Sequence, residues 1–213
     1  MKHTCSSPPK TAALFLAMIF CLAAPAWAAQ DSTLTANITS LEAYNILMKT
    51  ADTYLVDVRT PEEYQLIGHA PMAYNIPFMF LSDEFVVKGD KFRGQTAGKT
   101  RYQYYLNPDF IREVGKKFKK TDTLLVTCRS GNRSVPAVDL LVKSGFTKVY
   151  NISDGFEGDK FTGRTETEKD LLPQYSSFYG HRNVVNGWKF YGLPYTYHLE
   201  PKYIYGPHIK DTP

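Results

Sequence analysis

Short apolar runs alternate with helical periodicity along the chain, and neither an internal repeat nor a long linker interrupts them. This pattern predicts one α/β domain with a mainly parallel sheet flanked by helices on both faces. Two runs carry the prediction: Tyr54–Val58 and Thr123–Thr127 are apolar through their centres, as strands covered on both sides are. A third, Lys148–Ile152, follows an apolar stripe of Val135, Val138, Leu141 and Val142 whose helix ends at Gly145.

The remaining elements follow from local signals. Thr39-Ser40-Leu41-Glu42 has the form of a helix start, with Leu41, Tyr44, Ile46 and Leu47 as its apolar side. Pro61 opens a short helix through Glu62, Glu63 and Tyr64, because its fixed φ suits a first helical position. Tyr74–Pro77 reads as a short strand. Pro108 leads a helix whose face is Phe110, Ile111, Val114 and Phe118. The stretch from Lys88 to Thr100 is polar, rich in Gly and Lys and without periodicity, so it is expected to be a surface loop.

Positions 1–28 have the form of an export signal. Lys2 and Lys10 make a basic start, Ala12–Ala24 is apolar, and Pro25-Ala26-Trp27-Ala28 places small residues where a signal peptidase reads. The run is too short to cross a bilayer comfortably, and Phe20 before Cys21 argues against lipidation. The expected location is periplasmic or otherwise secreted, with no membrane attachment after cleavage. The expected organisation is a domain over 34–194, with insertions at 86–105 and 156–186, and a C-terminal tail over 195–213. That tail is expected to lie as an extended strip over the domain.

Charge excludes one class of partner. Of 213 residues, 25 are Lys or Arg and 21 Asp or Glu, a formal charge of +4 that falls when Lys2 and Lys10 leave. A nearly neutral chain of this kind is not built for nucleic acid. The dense basic run of Lys116, Lys117, Lys119 and Lys120 ends a helix, where the dipole favours cations. His181, His198 and His208 match no compact ligand spacing, so no metal is expected.

The three cysteines reduce to one. Cys5 and Cys21 belong to the signal, which leaves Cys128 without an internal disulfide partner. Cys128 directly follows a buried strand, and Ser134 begins a helix, so residues 128–133 must turn the chain around the thiol. Gly131 permits the backbone angles this requires. Amide groups and a helix N-terminus in such a turn stabilise a thiolate and favour nucleophilic attack. Arg129 and Arg133 are expected to add fixed positive charge for an anionic substrate.

Cys128-Arg-Ser-Gly-Asn-Arg-Ser resembles the active-site loop of the rhodanese-type sulfurtransferases. Three further segments resemble that family in order along the chain. They are Leu55-Val56-Asp57-Val58-Arg59 with Glu62-Glu63-Tyr64, Gly68-His69-Ala70-Pro71 with Ala73-Tyr74-Asn75-Ile76-Pro77, and Asp154-Gly155 with Gly187-Trp188 and Gly192-Leu193-Pro194. Met72 departs from a glycine common in the family. The resemblance implies a rhodanese-like fold and transfer of a sulfane sulfur from thiosulfate or a persulfide donor to cyanide or a thiol. Cys128 is then the nucleophile, and Arg129, Ser130, Gly131, Asn132, Arg133 and Ser134 bind the sulfur substrate. No metal or organic cofactor is implied, and a protein sulfur acceptor is compatible with the resemblance. Asp57 and Arg59 are supporting residues, with Arg59 expected to pair with Glu62 or Glu63, and His69 is expected to hydrogen bond structurally.

Two other readings differ in class. Cysteine phosphatases and arsenate reductases use a similar cradle, but their loops place five residues between cysteine and arginine. Here four separate Cys128 from Arg133, which suits a sulfur atom. A sulfur-binding or sensing module without turnover is the non-enzyme reading. Retention of the cysteine speaks against it.

Overall fold

The computed structural model describes residues 34–206 except positions 93, 94 and 97, so the expected signal at 1–28 and the tail end at 207–213 lie outside the described residues. In chain order the elements are β1 (Leu34–Ile38), α1 (Ser40–Lys49), β2 (Thr53–Asp57), α2 (Pro61–Ile67), β3 (Ala73–Asn75), β4 (Met79–Val86), β5 (Lys91–Phe92) and β6 (Gln95–Thr96). They continue with β7 (Arg101–Leu106), α3 (Phe110–Lys117), β8 (Thr123–Thr127), α4 (Ser134–Lys143), β9 (Lys148–Ile152) and α5 (Glu166–Tyr175).

Five strands form the central sheet in the order β1-β9-β8-β2-β3, and every pairing in it is parallel. Alternation along the strands divides the core between the two faces. Val56, Leu124, Val126 and Val149 pack with Phe110 and Val114 of α3 and with Ala137 and Leu141 of α4. Leu55, Leu125 and Ile152 pack with Ala43 of α1, Tyr64 of α2 and Trp188. The sheet is therefore mainly parallel and covered by helices on both faces.

Local chemistry sets the helix starts. At α1 the Thr39 hydroxyl accepts from the Glu42 amide, and the Glu42 carboxylate accepts from the Thr39 amide at 2.7 Å. At α2 Thr60 and Glu63 repeat this reciprocal arrangement, with Pro61 at the first helical position. Each box satisfies amides that a helix start leaves unpaired. On the apolar stripes the structure corrects two residues. Leu41 and Val135 are exposed, and Ala43 and Ala137 take the contacts with the sheet, because close helix-to-sheet packing favours small side chains.

Three elements depart from the expected layout. β1 pairs along its whole length with β9 at the sheet edge. The segment read as a surface loop is the far end of an antiparallel hairpin, β4 with β7, which carries the small β5–β6 hairpin at its tip. The insertion at 156–186 contains α5, which starts with a Thr165–Glu168 capping box and buries none of its residues.

The tail covers the sheet edge as far as Gly206. Thr196 and His69 exchange backbone hydrogen bonds of 2.9 and 2.8 Å. The Asn75 amide of edge strand β3 donates to the Tyr203 carbonyl at 2.7 Å, which occupies an edge donor. Tyr203 meets Tyr74 edge-on, Leu199 and Ile204 join one core, and Tyr205 joins the other. Truncation after Pro194 is accordingly expected to lower the melting temperature by roughly 5–15 °C. Thermal unfolding of the shortened chain measures this. An unchanged midpoint would show that the strip contributes no stability.

Candidate active site

Residues 128–133 join the carboxyl end of β8, the middle strand of the sheet, to the first turn of α4. Parallel α/β sheets place their ligand sites at this end of the strands. Cys128 is buried, with 1% of its surface exposed, and is the free cysteine among the described residues. The buried Ser134 hydroxyl lies 3.4 Å from Cys128 Sγ and 2.9 Å from the Gly131 carbonyl. The amides of residues 129–133 donate to no protein acceptor among the described residues. Amides left unpaired in a tight loop suit an anion held within it.

A second segment clamps this loop from below. The Phe156 amide donates to the Cys128 carbonyl at 2.8 Å, and the Glu157 amide to the Arg129 carbonyl at 2.9 Å. Two glycines permit the approach. Gly131 has φ +80°, and a Cβ on it would meet the Ser153 carbonyl oxygen at 2.0 Å. Gly155 has φ +60°, and its Cβ would lie 2.7 Å from the Cys128 carbonyl oxygen. A side chain at either position is excluded by both space and backbone angle. Asp154 anchors the clamp, since Oδ1 accepts from the Ser40 amide and hydroxyl at 2.8 Å each.

Arg129 and Arg133, expected to add fixed positive charge for an anionic substrate, each have a carboxylate partner. Arg133 donates to Glu63 through both terminal nitrogens at 2.6 Å. Burial opposes the Arg133 charge, but the hydrogen bonds and charge of Glu63 outweigh it and raise the guanidinium pKa. Burial likewise opposes the Glu63 charge, yet Arg133, the Thr60 amide and Arg59 together bring its carboxyl below the ordinary value. Arg129 Nη2 donates to Glu157 Oε2 at 3.2 Å, while its Nε lies 2.9 Å from Oε1 as a charge contact without hydrogen-bond alignment.

Arg59 is also paired differently from expectation. It bonds Asp57, not Glu62 or Glu63, through Nε at 2.9 Å and Nη2 at 2.6 Å. Both side chains are buried, and Nη2 reaches on to the Gly68 carbonyl at 2.8 Å. Burial works against this charge, but Asp57 holds it and raises its pKa. The guanidinium stacks 4.3 Å from the centre of Phe156, beside the clamp. Glu63 is unavailable to Arg59 because it caps α2 and faces the cysteine loop. Asp57 and Arg59 thus lie beneath the site and line none of its cleft. His69 stacks on Tyr64 at 3.6 Å, and its Nδ1 is 3.0 Å from the Tyr64 carbonyl. Burial lowers its pKa.

Above the thiol lies a cleft of about 410 Å³. Its floor is Cys128, Arg129, Ser130, Asn132 and Arg133, and α2 supplies Glu63. The hairpin supplies Met79 at the start of β4 and Arg101 and Tyr104 of β7, which sequence reasoning missed because β7 buries none of its residues. The dense tyrosines of β7 were the available signal. A larger hollow of about 540 Å³ in the second insertion is lined by residues such as Lys160, Arg164 and Asn186 and holds no cysteine or histidine. Among the described residues there is no cluster of three or more potential metal ligands.

The free cysteine among the described residues thus sits in a six-residue turn at the carboxyl end of the middle strand of a parallel sheet. Residues 40–160 match the family described as the Rhodanese-like domain, and the chain belongs to that family. It is 34% identical over 128 residues to thiosulfate sulfurtransferase 16, chloroplastic, of Arabidopsis thaliana, covering 60% of this chain and 89% of that one. It is 36% identical over 101 residues to the senescence-associated protein DIN1 of Raphanus sativus, covering 47% of this chain but 45% of that protein, so it spans under half the length of that relative. The crystal structure of Rv0390 from M. tuberculosis is similar with a TM-score of 0.53 at 25% identity, over 78% of this chain and all of the other.

The Glu63–Arg133 pair yields a pH-dependent prediction. A carboxyl whose folded pKa is depressed stabilises the fold above its unfolded value of about 4.3, and the contribution is lost as pH falls through the folded value. Glu63→Gln is expected to cost about 1–3 kcal/mol at pH 7, and the gap to the parent narrows as pH drops below about 4. Denaturant unfolding of both proteins across this range checks the sign. A gap that persists in acid would assign the loss to packing.

Proposed function

We infer that this chain transfers sulfur, a reading supported by its membership of the Rhodanese-like family and by the name of its relative thiosulfate sulfurtransferase 16. We propose that this chain is an exported enzyme that moves a sulfane sulfur from thiosulfate or a persulfide donor to cyanide or a thiol through a Cys128 persulfide. The observation that carries the proposal is a buried thiol at the end of the central strand, with the Ser134 hydroxyl 3.4 Å away and the amides of the adjoining loop without a protein acceptor among the described residues.

In the first half-reaction the Cys128 thiolate attacks the outer sulfur of the donor. A new S–S bond forms at Cys128, the donor S–S bond breaks, and sulfite or a thiolate leaves with the electron pair. The terminal sulfur then carries the negative charge, and the loop from Arg129 to Ser134 is placed to hold it. In the second half-reaction an acceptor attacks that sulfur and returns Cys128 as thiolate, so ping-pong kinetics follow. With Arg133 and Arg129 bound to carboxylates, their role is to hold the loop in shape as well as to balance charge. Asp57 and Arg59 support the clamp beneath it.

Export rests on residues 1–28, and a periplasmic or secreted location is part of the proposal. No described helix is long and apolar enough to cross a membrane. A protein acceptor of the sulfur is likewise proposed, with small thiols as the simplest substitutes.

Incubation with thiosulfate is expected to add the mass of one sulfur atom to the peptide containing Cys128. Cys128→Ser is expected to remove this gain and lower thiosulfate:cyanide transfer by at least about three orders of magnitude, with the fold retained. Turnover by the folded serine variant would defeat the mechanism. A parent protein that gains sulfur but never passes it on would be a binding module.

A further inference from the structure

Three arginines line the cleft above Cys128, and only two are neutralised. Arg133 is engaged by Glu63 and Arg129 by Glu157. Arg101, on β7 of the hairpin, is exposed and makes no ion pair or side-chain hydrogen bond among the described residues. A guanidinium stays protonated at any physiological pH and binds carboxylates through two parallel hydrogen bonds. The hairpin therefore brings to this cleft a cation that the cysteine loop itself does not keep free.

The rest of the hairpin wall is apolar in character. Met79 and Tyr104 are half-buried and line the same cleft as Arg101, and the Tyr104 ring lies 5.8 Å from the Arg133 guanidinium. Size adds to this. A water's share of liquid volume is about 30 Å³, so the five heavy atoms of thiosulfate fill on the order of 150 Å³ at most. The cleft of about 410 Å³ holds considerably more. An apolar wall beside one free cation matches a short carbon chain ending in a carboxylate.

We propose that Arg101 is the anion-recognising residue of this cleft, and that it selects small organic thiols and their persulfides that carry a carboxylate. The substrate class rests on the sulfur-transfer reading above, whereas the anion recognition requires only the thiol. In transfer, the substrate thiolate attacks the terminal sulfur of the Cys128 persulfide. It leaves as an organic persulfide, and Cys128 recovers the electron pair as thiolate.

Alkylation tests the anion recognition without any sulfur chemistry. The Cys128 thiolate displaces iodide from iodoacetate, an anion, or from iodoacetamide, its neutral counterpart, and peptide mass spectrometry of the full chain reads both rates at Cys128. The rate ratio of iodoacetate to iodoacetamide is expected to fall about tenfold in Arg101→Gln and to be largely kept in Arg101→Lys. An unchanged ratio in Arg101→Gln overturns the proposal. On protein preloaded with sulfur, the kcat/KM ratio of 3-mercaptopropionate to 2-mercaptoethanol as acceptor is expected to move in parallel. If the alkylation ratio responds and the acceptor ratio does not, the substrate class is overturned. If no sulfur loads onto Cys128, the sulfur-transfer reading and the substrate class fail together, while alkylation still decides the role of Arg101.

Discussion

Two backbones approach each other beneath Cys128 more closely than side chains allow, and the site is organised around that contact. The Phe156 and Glu157 amides donate to the Cys128 and Arg129 carbonyls. These bonds turn the loop carbonyls toward the clamp. Gly131 and Gly155 make the approach sterically feasible, each with a positive φ and no room for a Cβ. Asp154 fixes the clamp through Ser40 at the start of α1, and the Trp188 amide bonds the Gly155 carbonyl at 2.9 Å. The clamp is thus tied both to the first helix and to the segment beyond the second insertion.

Electrostatics around this contact is organised as pairs. Arg59 with Asp57, Arg133 with Glu63 and Arg129 with Glu157 link β2, α2, the cysteine loop and the clamp. The Arg59–Asp57 pair is withdrawn from water and Arg133–Glu63 largely so, where loss of one partner would strand the other charge, whereas Arg129 is half exposed. Their consequence for chemistry is that the loop arginines carry little unspent charge toward the cleft. The hairpin that overhangs the thiol belongs to neither the sheet nor the clamp, and can vary the recognition surface while the loop stays fixed.

The central elements were legible because each announces itself over a few residues. β8 and β9 occupy the expected Thr123–Thr127 and Lys148–Ile152. These strands are shielded on both sides, so apolar runs mark them. Thr39 with Glu42 and Pro61 after Thr60 mark helix starts by hydrogen bonding that is itself local. The hairpin and α5 were not legible for the converse reason. Among the described residues the hairpin meets the main core only through Met79 at its base and α5 buries none of its residues, so no apolar period distinguishes them from loops, and Pro173 within α5 argues against helix in the sequence. β1 is an edge strand whose identity depends on its pairing with β9, 114 positions away.

The sequence by itself determined the fold class, the parallel strands, the position of the cysteine turn and the family to which its motifs point. Those properties reside in neighbouring residues, where hydrogen bonding, glycine backbone freedom and apolar period are local. Tertiary structure alone decided the partners of the charges. Glu63 is 70 positions from Arg133 and Glu157 is 28 from Arg129, and several carboxylates competed for each arginine along the chain. Only the folded geometry selects among them, because an ion pair is made by distance and burial in space, and neither is written in sequence order. The same is true of Arg101, whose place above Cys128 follows from how a hairpin with no core of its own leans on the domain.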